Sequence, residues 1–482
     1  MDMKKLIYIF CAASLLTACT DDVMDRLNRN ENDPEEVPAR YLLTDAETAS
    51  AVSVVSGDFA FYTAVYMEQQ AGIFNQMYNA EMRLAEVYSA ATFNNAWNAT
   101  YRNLLALRII RERCAAGGAE AGSNHLLGMA QVLTALNLAT LTDLMGDIPW
   151  SEALQPGAVY QPKLDSQESI YQDVFDLLDE AIDNLRKEDL ATLTPVGTQD
   201  LIYGSLDADR QTELWIKAAY GLKARYALRL SFREPRYDQV IDYADSSFVS
   251  SDEQLAYPYD GSSSINPFYA FYLNRRYFGA SESLHQKLVE RNDPRESLFF
   301  KAYPGTGQLV FAHNGAPEQR QGYYGISGLL SPTRPTLLLS YHELQFVKAE
   351  AQTRLGQTGD AIGSLYNAVV AAFAQVGLSA SEADDYFQNV VLPRFEADPL
   401  GEIINQKYLA CYEGEVLETY HDYRRLLAMG ESDLLPLANP LPFPLRLPYG
   451  NSDVVSNDHV AQAYGNGDYV TTEPVWWAGG SR

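Results

Sequence analysis

The sequence predicts a mainly helical protein built from helical hairpins, with long irregular loops between them. Three observations carry that expectation. Apolar residues recur at helical spacing from Asp45 to about Leu190 and again in two later stretches. The paired helical segments are joined by turns rich in Gly, Asp and Pro. Two further stretches, Ser250 to Ala280 and Ala302 to Pro335, show no period, and loops longer than about 15 residues in a compact chain are usually functional. Composition agrees: of 482 residues 47% are apolar and 21% charged, which excludes disordered and fibrous material. Against 36 Lys plus Arg stand 63 Asp plus Glu, a formal charge of -27 that repels phosphate backbones, so no nucleic-acid partner is expected.

At the N-terminus, Lys4 and Lys5 precede a 13-residue apolar run from Leu6 to Ala18. It is too short to span a bilayer of about 30 Å but has the length of a signal-peptide core. The run ends Leu16-Thr17-Ala18-Cys19, which resembles the bacterial lipobox. Residues 1–18 are therefore expected to be a lipoprotein signal peptide, with Cys19 as lipid anchor. Losing Asp2, Lys4 and Lys5 leaves 34 basic and 62 acidic residues, a net -28. Residues 19–40 hold seven acids and little to bury, which reads as anchor and flexible tether with a reach of roughly 25 Å, and residues 41–482 form a single body. In an oxidising exterior Cys114 and Cys411 are either bridged or two buried thiols.

Within the body, hairpins are expected near residues 126–186, 215–248 and 338–376. In the first, Leu126 to Leu144 is hydrophobic almost all round and therefore buried. After the turn Gly146-Asp147-Ile148-Pro149, the stripe Ile170, Val174, Phe175, Leu177, Leu178, Ala181, Ile182 and Leu185 opposes Asp173, Asp176, Asp179, Glu180 and Asp183. Asp165 and Glu168 have capping-box spacing at its start. In the third hairpin, Ala351, Leu355-Gly356 and Gly359-Asp360-Ala361 resemble a tetratricopeptide unit, whose small residues let two helices pack closely. Trp97 shares a stripe with Tyr101, Leu104, Leu105 and Arg108 and belongs to the core. From Met429 onward, Pro436, Pro440, Pro442, Pro444 and Pro448 force an extended chain.

No catalytic constellation emerges. The six histidines are scattered, and His342-Glu343 lacks a second histidine, with Phe346 at the fourth residue on. GYYGISGLL has Leu329 where a nucleophile elbow needs Gly. The Gly305 and Gly465 GxG turns lack a third Gly, and there is no Walker lysine. The expectation is a non-enzyme with no cofactor and no metal.

Read together, several segments give the chain a strong resemblance to the SusD/RagB family of Bacteroidetes outer-membrane lipoproteins. They are GDIPWSEA (Gly146 to Ala153), Asp165 with Ile170-Tyr171, Asp293-Pro294-Arg295, INQKY (Ile404 to Tyr408), Asp422-Tyr423-Arg424-Arg425, Arg446-Leu447-Pro448-Tyr449 and Pro474-Val475-Trp476-Trp477-Ala478. Trp150 stands where that family commonly has Tyr, and Gly450 where it usually has Pro. The resemblance implies a non-enzymatic nutrient-binding lid on a SusC-like TonB-dependent transporter, lipid-anchored at the cell surface, with tetratricopeptide units facing the partner and the irregular side holding ligand. An oligosaccharide is the first expectation, since 32 Tyr against 19 Phe and 5 Trp supply flat apolar faces with a polar tip. Peptide capture within the same family, a ligand-free helical scaffold and a hydrolase are the rivals. The ligand site is expected on the irregular side, drawing on Tyr78, Tyr88, Tyr269, Tyr272, Asn314, Tyr323 and Tyr324, where exposed rings have little other reason to gather.

Overall fold

The computed structural model describes residues 37–482. The expected signal segment, Cys19 and the tether up to residue 36 lie outside the described residues. The body begins earlier than the sequence reading placed it: α1 (Ala39–Ala49) starts inside the expected tether. The chain is pinned there because Arg113 donates to the carbonyl of Val37 at 2.6 Å and the Ala39 N–H donates to Glu120 at 2.9 Å. α1 runs into a π-helical turn (Ser50–Val54), followed by α2 (Gly57–Tyr66), β1 (Ala71–Gly72) and α3 (Asn75–Glu81).

The helical half follows. α4 (Asn94–Cys114) precedes the first hairpin, α5 (Asn124–Met145) and α6 (Gln167–Leu185), whose connection carries the antiparallel pair β2 (Ile148–Pro149) and β3 (Leu164–Asp165). By length and composition α5 is apolar enough to cross a membrane, yet it is buried through most of its length, the signature of a core helix. The cap of α6 differs from the expected one. Ser166 accepts from the Ser169 N–H, because Asp165 is held one residue earlier in β3. Its carboxylate instead closes the GDIPW turn, accepting from the Trp150 and Ser151 N–H groups at 2.9 and 2.8 Å. The second hairpin is α7 (Ala208–Arg229) with α8 (Tyr237–Asp245).

The stretch from Ser250 to Ala280, read as loop, contains β4 (Leu255–Tyr257), α9 (Pro267–Asn274) and β5 (Phe278–Gly279). α9 escapes a periodicity search because PFYAFYLN is apolar nearly all round over only eight residues. It is held by Asn266, whose side chain accepts from the Phe268 and Tyr269 N–H groups, and Pro267 suits the first helical position. Then come α10 (Glu282–Val289), α11 (Glu296–Phe299), β6 (Phe300–Lys301), β7 (Ile326–Ser327) and β8 (Thr336–Leu339). Among the described residues the strands form four two-stranded antiparallel pairs, of which β1 with β5 matters most, since it ties α3 to the end of α9.

The third hairpin is α12 (Tyr341–Arg354) with α13 (Thr358–Gln375). It is followed by α14 (Ala380–Tyr386), α15 (Leu392–Ala397), α16 (Pro399–Ala410) and α17 (Val416–Met429). The proline-rich segment beyond Leu435 is without helix as far as Gly450 and crosses the body, the Leu447 N–H donating to the Leu144 carbonyl at 2.7 Å. Short helices α18 (Asn451–Ser456), α19 (Asp458–Tyr464) and α20 (Tyr469–Thr472) lead to Trp477, a fully buried plug. Trp97 is likewise fully buried, and Cys114 and Cys411 are two buried free thiols.

The helices are cross-linked by a buried ionic network. Asp143 of α5 meets Arg229 of α7, which also meets Glu418 of α17. Arg225 of α7 bonds Glu343 of α12 and Glu415 before α17, while Lys407 of α16 bonds Asp422 of α17 at 2.8 Å. Such networks cost desolvation and repay it only when every charge is paired, which fixes helix register more than it adds stability.

Candidate ligand cleft

An open cleft of about 810 Å³ is built from four segments that are distant in sequence. The π-helical turn and α2 contribute Val52, Gly57, Asp58, Phe61 and Tyr62; α3 contributes Gln76; the approach to α4 contributes Thr92 and its first turn Asn95. Ile265 and α9 with its C-cap supply Pro267, Ala270, Phe271, Asn274 and Arg275. The spacing 267, 270, 271, 274 is one face of a helix. Gly57 has φ +60°, and a Cβ there would lie 2.9 Å from the Val52 carbonyl oxygen, so the turn that presents Asp58 requires glycine.

The cleft floor is stiff. Phe61 contacts Phe271 at 4.5 Å and Phe268 at 5.1 Å between ring centroids, and Phe271 contacts Phe278 at 4.9 Å, so α9 is clamped on α2 through rings. Above that floor stand the amides of Gln76, Asn95 and Asn274, the Thr92 hydroxyl, the Asp58 carboxyl and the Arg275 guanidinium. Burial pushes the Asp58 carboxyl above its ordinary value. This combination of apolar faces with donors and acceptors is what recognition of a hydroxyl-rich, part-apolar ligand requires. Two residues beside the cleft, Asn75 (φ 48°) and Arg276 (φ 54°), occupy the left-handed region, a strain that folds retain chiefly where geometry serves function.

Beyond α9 the surface continues as a rim of rings. Phe74 packs on Tyr277 at 5.6 Å, and Asn75 donates to the Tyr277 hydroxyl at 3.2 Å. Arg276 donates to the Tyr303 hydroxyl at 3.3 Å, and Gln321 donates to the Arg275 carbonyl at 2.8 Å, binding the 320s loop to α9.

The seven residues expected from sequence separate into groups. Tyr269 and Tyr272 sit on α9, but off the face that lines the cleft; Tyr272 borders a small crevice with Gln70, Arg276, Tyr277, Ser327 and Glu413. Tyr323 is half-buried beneath Arg320, whose guanidinium lies 3.8 Å from its ring centroid. Tyr78 is half-buried on α3, two residues after Gln76. Tyr88 is half-buried and directs its hydroxyl at the Arg83 carbonyl, while its own carbonyl accepts from Tyr464. Asn314 and Tyr324 are interior residues, 3% and 5% exposed. Asn314 accepts from the Ser281 hydroxyl and the Ser283 N–H at the start of α10, and the Tyr324 hydroxyl accepts from the Glu318 N–H at 2.9 Å. Sequence reasoning missed Asp58, Gln76, Thr92, Asn95, Asn274 and Arg275, which belong to no local motif. The one available signal was Ser56-Gly57-Asp58, a break within an otherwise helical run.

A second groove of about 490 Å³ lies on the hairpins, between α6, α7 and α8. Its lining combines the acids Glu168, Asp176, Asp179 and Glu234 and the cation Arg236 with the rings of Phe175, Tyr243 and Trp476 and the amides of Gln172 and Gln239. The first cleft is the roomier of the two and lies off the hairpins, and it is the candidate ligand site. Among the described residues no cluster of His, Cys, Asp and Glu is arranged to hold a metal ion.

Comparison with known proteins gives a consistent answer. Residues 31–449 match the family model SusD-like_2, described as starch-binding and associating with the outer membrane. A SusD/RagB family protein from Bacteroides thetaiotaomicron is 43% identical and superposes with a TM-score of 0.84, covering 93% of this chain and 100% of its own. A chitin-binding SusD homologue from Flavobacterium johnsoniae is 17% identical with a TM-score of 0.70, covering 91% of this chain and 98% of its own, and shares the fold. A search of curated proteins finds no match to this chain.

Proposed function

This chain belongs to the SusD-like family, and on that premise we propose that it is a nutrient-binding protein of the outer membrane that captures an oligosaccharide in the cleft between α2, α3 and α9. It holds its ligand without altering it and passes it to a SusC-like TonB-dependent transporter. The lipid on Cys19 tethers the body at the cell surface, and the helical hairpins face the transporter. The observation that carries this reading is the cleft itself. Phe61, Tyr62 and Phe271, 6%, 5% and 8% exposed, close the cleft with an apolar floor, and the amides of Gln76, Asn95 and Asn274 above it can bond hydroxyls. The family description as starch-binding and the chitin-binding homologue support a carbohydrate over a peptide. None of the cleft-lining residues belongs to the three hairpins, which leaves those free for a protein partner.

The test is calorimetric titration of the purified mature protein with oligosaccharides and peptides, followed by Gln76→Ala with Asn95→Ala. The expected outcome is glycan binding without turnover, weakened about tenfold, or ~1.4 kcal/mol, in the double variant, with an unchanged melting temperature because neither side chain is buried. Unaltered affinity for a bound glycan removes the cleft from the account, and peptide binding in its place overturns the carbohydrate reading.

A further inference from the structure

We infer that the glycan this site accepts carries anionic groups, uronate carboxylates or sulfate esters, a step that rests on the glycan-binding reading and deepens it. The chain has a formal charge of -27, yet exposed cations collect on the rim of the cleft. Arg275 lines the cleft, and Arg276, Arg320 and Lys301 stand along the continuing surface, all four exposed. They are joined by contact rather than by sequence: Gln321 donates to the Arg275 carbonyl at 2.8 Å, bringing the neighbouring Arg320 to α9, and Arg276 reaches Tyr303, two residues beyond Lys301.

Three features separate this group from an ordinary solvated surface. Among the described residues Arg275, Arg276 and Lys301 make no ion pair, and Arg320 has only the exposed Glu318 at 3.3 Å. Exposed arginines without partners contribute little to stability, so the fold gives no reason for gathering them. The guanidinium of Arg320 lies 3.8 Å from the Tyr323 ring centroid, and that of Arg276 donates to the Tyr303 hydroxyl at 3.3 Å, so both forks stand beside rings. Such a fork gives paired donors to a carboxylate or sulfate, with a neighbouring ring for the sugar face. Beyond about 8 Å the remainder of the acidic surface is screened at physiological salt; the acids close to the group are Glu318, paired with Arg320, and the buried Glu413, which shares a crevice with Arg276. Asp58 is the one acid lining the cleft, and burial pushes its carboxyl above its ordinary value.

The experiment titrates the mature protein with maltoheptaose and chitohexaose (neutral), an oligogalacturonate (uronate) and a chondroitin sulfate oligosaccharide (sulfated), each at low and high NaCl. It then repeats the series on Arg275→Gln/Arg276→Gln. The expected result is preference for an anionic oligosaccharide, with affinity falling about tenfold at high salt and about tenfold in the double variant; whether the uronate or the sulfated arm binds identifies the anion. Salt-insensitive binding of a neutral glycan that the double variant retains overturns the inference while leaving the proposed function standing. Failure to bind any of the four overturns the proposed function and the inference together. Should the double variant not fold, the salt dependence and the anionic-to-neutral ratio of the unaltered protein decide.

Discussion

Arg425 is fully buried and meets both oxygens of Glu350, at 2.6 and 2.7 Å, while Arg354 adds a third bond to the same carboxylate at 2.8 Å. Burial opposes ionisation of Glu350, but Arg425 and then Arg354 hold its carboxyl well below the usual carboxylate range. Its contribution to stability is therefore complete above the ordinary value of 4.5 and is lost as the pH falls below it toward the depressed folded value. Glu350→Gln keeps the shape but removes the two-point partner of Arg425, leaving Asp422 at 3.1 Å as its remaining counter-charge, and is expected to cost up to about 3–5 kcal/mol at neutral pH. Urea unfolding should also show a shallower loss of stability on acidification below that pH than the unaltered protein has. Equal stability of the two proteins at neutral pH would show that the pair is dispensable. The residues that mark the family in sequence recur in the same interior network. Asp422, Arg425 and Lys407 are ion-paired, and Arg295 bonds Asp293 and Gln406. Those segments were legible because they build the scaffold, and for the same reason they do not locate the ligand.

In the first hairpin α5 and α6 approach closely at Gly128, where a Cβ would lie 2.5 Å from Leu185 Cγ and 3.0 Å from the Ala181 carbonyl oxygen. Gly128→Ala gains about 1 kcal/mol of helix propensity but forces the two helices apart, an overpacking cost of typically 1–3 kcal/mol. Because one clashing atom is backbone, the overpacking dominates and the melting temperature is expected to fall; a rise would mean that the helices separate without strain. Hairpins of this kind were readable because their apolar stripes extend over several turns. The elements that line the cleft were not. α9 is one short, aromatic helix with no polar face to reveal its period, and the Asx cap at Asn266 and the clamp of Phe61 on Phe271 are what make it a helix there. The cap of α6 was misplaced by one residue because the pairing of Asp165 with Ile148 across the turn is a non-local contact that no capping pattern contains.

Taken as a whole, the molecule divides its labour between stacked helices knitted by buried charge and a cleft assembled from the segments around them. The division was foreseeable from the period-free stretches, but the site within it was not. The tyrosines singled out include two that seal loops on the body, Tyr324 within those stretches and Tyr88 outside them, whereas the cleft takes its polar groups from Asp58, Gln76, Thr92 and Asn95 as well as from Asn274 and Arg275, none of which belongs to a local motif. A binding surface drawn from four segments leaves no contiguous trace in sequence; it becomes visible only when the β1–β5 pair sets α3 beside α9. The most direct measurement is a crystal structure of the protein with an oligosaccharide shown by titration to bind it. The account predicts sugar density in the cleft, with a ring against the aromatic floor and hydroxyls at Gln76, Asn95 and Asn274. Density seated instead in the acidic groove between α6, α7 and α8, with the cleft empty, would contradict it.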